Sequence, residues 1–281
     1  MSNPFLNDKN FNGSSMQRGS VDAQSQQGWT QGGPYVGYGA PATTSGATMT
    51  MGGVTSATAL LFVFAAISGW FGWRQVGSEL VGYDRATGEA VFGATGSMVW
   101  MFGPLIVGFI LAMVCSFRPT MARYLAIPYA LAEGVFLGFV SHYYNIAYPG
   151  IVVTALLATA GVFGAMLALY SFRVLRVTPR MTKAIVAATF GVLAVYLVNF
   201  VASFFMDGSL LSGSGPISIA VSLIIVGIAA FNLLLDFDFI ERGVENGLPK
   251  HMEWFAAFGL MVTIVWLYLE LLRLLSKLRD N

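Results

Sequence analysis

The chain is poor in cysteine, histidine and charge. Cys115 is the only cysteine, which excludes an intrachain disulfide and a cysteine-based zinc site. It lies in an apolar run and reads as a small core residue. The two histidines, His142 and His251, are far apart, so a metal centre built on them is not expected. Charged residues make up 10% of the chain, where a soluble domain would carry roughly a quarter. The net charge is +1 and no clustered basic face is present, which argues against a nucleic-acid partner. P-loop, HExxH and GxSxG patterns are missing as well. The chain does not read as an enzyme, and no cofactor is expected.

What the chain does have is long apolar stretches. Of its 281 residues, 56% are hydrophobic, and the mean hydropathy is +0.68. This is the signature of an all-α polytopic membrane protein. The first stretch, Met1–Thr48, differs from the rest, being rich in Gly, Gln, Ser and Thr. Such a composition buries too little apolar surface to offset the entropy of ordering, which predicts a disordered tail over 1–48. No apolar core follows the start directly, so it does not read as a signal peptide. A sharper alternative to a solvated tail is a partner-binding arm through Trp29, Tyr35 and Tyr38.

A membrane domain over 49–281 is predicted to hold seven helices, near Met51–Trp73, Ser97–Ser116, Tyr124–Tyr143, Ile151–Phe172, Thr182–Phe205, Pro216–Asp236 and Trp254–Ser276. Each approaches the ~20 residues that span a bilayer core. In lipid only a helix satisfies such a segment's backbone groups. The loops after the second and fourth stretches carry Arg118 and Arg123, and Arg173, Arg176, Arg180 and Lys183. By the positive-inside rule these loops face the cytoplasm and so does the N-terminus. Seven crossings then put Arg273, Lys277 and Arg279 outside, against the rule. Either the last helix does not fully cross, or the bundle overrides the local bias.

Packing signals accompany the spans. Ala130, Gly134 and Gly138 recur every four residues, a stripe that lets helix backbones approach closely. Pro128 is expected to bend its helix, and Pro119 and Pro179 mark loops. In the last helix Gly259, Thr263, Trp266, Glu270 and Arg273 share a face that is expected to point into the bundle.

The candidate functional residues are acids inside apolar stretches, because a carboxylate in lipid costs a few kcal/mol on insertion scales. Glu133 lies near mid-membrane. It is either a hydrogen-bonded packing residue or a proton or cation site, and Asn199 is one candidate partner. Asp236 is expected to end the sixth helix at the bilayer edge. Asn232 shares its face, which Ser218, Ser222 and Ala229 extend. Near a helix C-terminus a carboxylate meets the negative end of the dipole, which makes a nearby cation valuable. Glu270 lies about sixteen residues into the last helix, roughly 24 Å from Trp254. That places it in the leaflet opposite Asp236, and it is either part of an ion pathway or a local partner of Arg273. The connector Glu241–Glu253 reads as a solvated loop.

Three stretches carry a resemblance: AEGVFLG in the third helix, LLLDFDFIERGVENGLPKHMEW after the sixth, and GLMVTIVWLYLELLRLL in the seventh. From about Met51 onward the chain resembles the Bax-inhibitor family, in its bacterial YccA-like branch. The resemblance implies a seven-helix bundle in the bacterial cytoplasmic membrane that acts as a pH-sensitive calcium leak. In that picture two aspartates share a proton and an arginine latch. Asp236 matches the first aspartate, and Glu133 matches the family's EG glutamate. Arg118 lies near the latch position. Thr263 stands where the second aspartate is expected, a departure from the pattern.

Two functions follow as expectations. One is a cation pathway, with calcium as the permeant ion, gated by protonation of Asp236 and Glu133. Oxygen ligands without thiolates suit a hard cation. The other is a non-conducting regulator of a membrane protease or of a stress response, in which the acids are structural.

Overall fold

The computed structural model describes residues 47–83, 90–202, 213 and 215–280. The tail expected over 1–48 lies outside them except for its last two residues, and so do Trp29, Tyr35 and Tyr38. The elements run α1 (Met51–Trp73), β1 (Gly77–Tyr83), β2 (Ala90–Thr95), α2 (Val99–Phe117), α3 (Ala122–Ala147), α4 (Ile151–Ser171), α5 (Pro179–Ala202), α6 (Pro216–Glu245) and α7 (Met252–Arg279). All seven helices are long and apolar enough to cross a membrane.

The bundle is arranged around α7. In its most apolar window 67% of residues are buried, against 11% in α2 and α5. It packs on α1, α3, α4 and α6, whereas α5 packs on α6 and α2 on α3. The outer helices turn Leu, Val and Phe to the surroundings, as helices bathed in lipid do.

The closest approach in the bundle is between α1 and α3. A Cβ added at Gly138 would strike the carbonyl of Gly69, and one at Gly134 would strike Ala65 and Ser68. The small-residue stripe of α3 therefore meets a second one on α1, Ala65, Ser68, Gly69 and Gly72. Backbone-to-backbone contact of this kind is what drives helix association where no water is expelled.

One end of the bundle, the connector end, holds the start of α1, the α2–α3 turn, the α4–α5 loop and the α6–α7 connector. There residues 47–50 form a clasp. Thr48 bridges Pro249, the Met49 amide donates to the Leu248 carbonyl at 2.7 Å, and the Lys250 amide donates to Ala47 at 3.0 Å. Met49 is 1% exposed and sits against Gly243 and Leu248. Buried Glu253 completes the clasp, accepting from the Thr50 amide and hydroxyl at 3.0 and 2.9 Å. Ala47 and Thr48 thus belong with the folded part, not with a tail.

Two further features depart from the sequence reading. A hairpin, β1 paired antiparallel with β2, joins α1 to α2 where no strand was expected. And α6 does not stop at Asp236 but continues nine residues to Glu245. At 1.5 Å per residue Asp236 is about 30 Å from Pro216, one hydrocarbon thickness. The helix simply projects beyond it, held by an Arg242–Asp238 pair at 2.9 Å one turn apart. The connector expected over Glu241–Glu253 shrinks accordingly, and the dipole argument for Asp236 falls with it.

Candidate functional site

Helices α5, α6 and α7 carry most of the bundle's internal polar groups, and these fall in sequence along the membrane normal. At the connector end a crevice of about 580 Å³ is lined by Thr182, Asp238, Arg242 and Asn246 and reaches Asp236 and Gly259. Asp236 Oδ1 lies toward Gly259, where an added Cβ would be 3.9 Å away. Thr263, one turn on, is the polar side chain interacting with the carboxyl. The Asp236 Oδ2 atom is buried and has no hydrogen-bond partner among the described residues. A buried acceptor in that condition is satisfied by a proton of its own or by a bound cation.

One turn deeper, the Asn232 side-chain amide donates to Thr189 Oγ1 of α5 and to the Ile228 carbonyl, both at 2.9 Å. Next comes Glu270, 2% exposed. The Tyr196 hydroxyl of α5 donates to its Oε1. Arg273 Nη1 donates to Tyr196 at 2.8 Å and lies 3.4 Å from the same carboxylate oxygen. Glu270 Oε2 is buried without a hydrogen-bond partner among the described residues. Last is Lys277, 6% exposed, whose ammonium donates to Ser218 Oγ at 2.7 Å and Ser222 Oγ at 2.8 Å.

The same succession accommodates the basic residues near the C-terminus. Arg273 is held by Glu270 and Tyr196, Lys277 by two serines, and Arg279 donates to the Pro149 carbonyl at 2.8 Å. Each cation has protein partners, and α7 runs unbroken from Met252 to Arg279. The expected inward face of α7 is present, with Gly259 and Thr263 toward Asp236, and Glu270 and Arg273 toward Tyr196.

The other candidates lie elsewhere. Glu133 is buried on α3, facing Gly108 of α2, with Tyr129 one turn earlier as its side-chain partner. Asn199, weighed as that partner, is on α5, which packs against α6. Glu133 therefore does not share the Asp236 crevice. Arg118 caps α2 and is exposed. Among the described residues no hydrogen bond or ion pair links its side chain to Asp236, and the arginine lining the crevice is Arg242. The sequence singles out neither Arg242 nor Tyr196 as a site residue, and Lys277 only as one of the basic residues near the C-terminus. Only Arg242 left a signal, its four-residue spacing from Asp238. A metal ligand cluster of three or more His, Cys, Asp or Glu does not occur among the described residues.

Comparison with known proteins adds one positive result. No curated protein matched the chain, and no solved structure matched it. The family model described as Bax inhibitor 1 like matches residues 3–280. The match takes in the Gly- and Gln-rich stretch before Met51, which the sequence reading had placed outside the resemblance. With seven membrane-length helices and a match over nearly its whole length, this chain belongs to the Bax inhibitor 1-like family.

Proposed function

We propose that the protein is a cation leak pathway of the YccA-like branch, in a bacterial cytoplasmic membrane with its N-terminus inside, and that calcium is the ion it passes. It works by passage and not by making or breaking covalent bonds. The observation that carries this reading is the orphaned Oδ2 of Asp236 at the inner limit of a crevice open toward the connector end. Behind it, oxygens of Asn232, Thr189, Tyr196 and Glu270 continue between the same three helices. Hard cations take oxygen ligands, and sparse sites suit transit because a conducting site must also release its ion. Protonation of Asp236 removes the charge that draws a cation in, and so closes the route. Pure protein in liposomes with an internal calcium indicator tests this. The reading requires flux above that of empty liposomes, and it fails if none is seen.

A second reading has an observation in its favour. The polar column ends at two cations, half-exposed Arg273 and buried Lys277, which oppose passage of another cation. A non-conducting regulator of a membrane protease or stress response would have no need to move them. Deleting residues 1–46, which leaves the clasp intact, discriminates: a lost membrane-protein partner from a protein that carries no flux supports regulation.

A further inference from the structure

A second cavity shares no lining residue with the Asp236 crevice. It is a cleft of about 1110 Å³ between α1 and α3 on one side and α4 and α6 on the other, with α7 as its floor. Met51 and Trp73, the first and last residues of α1, both line it, so it runs about 33 Å along the bundle. Its walls are apolar, with Phe62, Leu156, Phe163 and Ile264 among them. The few polar groups inside are already satisfied. Ser141 and Tyr268 share a hydrogen bond at 2.6 Å, and Thr159 donates to Ala155 at 2.7 Å. An interior of this kind offers nothing to a polar ligand and suits hydrocarbon.

The connector end of the cleft is different. There Tyr170 and Arg173 both donate to Glu241. Arg173 commits one terminal nitrogen to that bond and has a side chain 59% exposed. The rest of its five N–H donors remain available, and a guanidinium is well shaped for a phosphate. The Glu241 carboxylate has acceptor capacity beyond its two bonds. Side by side, the pair presents one positive and one negative group at the depth where an apolar chain in the cleft gives way to a headgroup. Basic groups between helices at this level are where phospholipid headgroups bind.

We propose that the cleft is a binding site for a zwitterionic phospholipid. One acyl chain lies between α1 and α4, the phosphate rests on Arg173, and the ammonium of a phosphoethanolamine headgroup rests on Glu241. A net-anionic lipid gains from Arg173 but is opposed by Glu241, so the site discriminates by headgroup.

Native mass spectrometry of the full chain, released from nanodiscs of equal phosphatidylethanolamine and phosphatidylglycerol, tests this. The expected result is retention of phosphatidylethanolamine at least about fivefold over phosphatidylglycerol. Ala59→Trp fills the cleft from an exposed position on its wall and is expected to abolish retention. Leu157→Trp, 69% exposed on α4 and outside the cleft, leaves it unchanged. Both charge variants keep the apolar walls: Glu241→Gln is expected to erase the preference between the two lipids, whereas Arg173→Gln is expected to weaken retention of both and leave the preference. Equal retention by the native protein overturns the proposal. So does preferred retention of the anionic lipid, or loss by Leu157→Trp as large as by Ala59→Trp. Should Ala59→Trp not fold, a preference that survives Glu241→Gln overturns it equally.

Discussion

Asp236 of α6 faces Thr263 of α7, with Gly259 one turn away providing the room for the carboxyl. A hydroxyl therefore stands beside this carboxyl, at the position where the resemblance implies a second aspartate. The consequence is a lone carboxylate with a buried, unpartnered oxygen, not a pair sharing one proton. The arginine that lines its crevice, Arg242, is engaged with Asp238.

The α1–α3 contact gives the plainest stability prediction. Gly138→Leu places a side chain into the Gly69 carbonyl, and the helices must separate. A destabilisation of roughly 1–3 kcal/mol is expected from overpacking alone. Gly161→Leu on α4, where nothing lies near, is expected to be close to neutral. Thermal denaturation in detergent compares the two, and equal melting temperatures would contradict the close-packing account.

The clasp predicts a local effect. Glu253→Ala removes the acceptor used by both the amide and the hydroxyl of Thr50. Leaving those donors unsatisfied costs about 1–3 kcal/mol. Hydrogen exchange at Met49 and Thr50 is expected to quicken by one to two orders of magnitude, with Glu253→Gln in between because it keeps an acceptor oxygen. Unchanged exchange in Glu253→Ala would show that the clasp is held by other contacts.

At the opposite end, outside the helices, the Tyr148 hydroxyl donates to Asp280 at 2.6 Å. This bond, with burial and the neighbouring carboxylate, pushes the Tyr148 phenol up to about 12. A raised value means that the neutral form is favoured in the folded protein. The tie therefore contributes fully below the ordinary tyrosine value near 10 and is lost as pH rises toward 12. Ultraviolet difference titration of native protein against Tyr148→Phe is expected to show one phenol ionising near 12. Ionisation near 10 would mean that the bond to Asp280 does not form.

Lys277 is the last charge on the column before the far end. If cations pass here, its buried ammonium is a barrier. Lys277→Met is expected to raise calcium flux several-fold, whereas Arg279→Met, which loses only a bond to Pro149, leaves flux unchanged. Equal flux in native protein and Lys277→Met would place the route elsewhere.

The seven helices were legible because lipid leaves few options: a run near twenty apolar residues has one way to satisfy its backbone. The stripe Ala130, Gly134, Gly138 was legible for the same reason, although its partner on α1 was not. The end of α6 was misread because charge was taken as a sign of leaving the helix. In fact Asp238 and Arg242 stabilise its continuation in water. The hairpin left little trace, since GSELVGY and AVFGAT alternate weakly and contain glycine. The contacts that make the site, Asp236 with Thr263 and Glu270 with Tyr196, join helices by packing, and no local spacing encodes them. Nothing on the helix of Lys277 reveals the two serines of α6 that bury it.

The account stands most directly on the pH dependence of calcium flux through Asp236→Asn in proteoliposomes, measured between pH 5.5 and about 8 and set beside the native protein. Native flux is expected to fall as pH falls, because a protonated Asp236 no longer attracts the ion. Asparagine keeps the shape and cannot titrate, so the variant's flux is expected to be low and flat across the range. A variant that conducts like the native protein, with the same pH profile, would contradict the account.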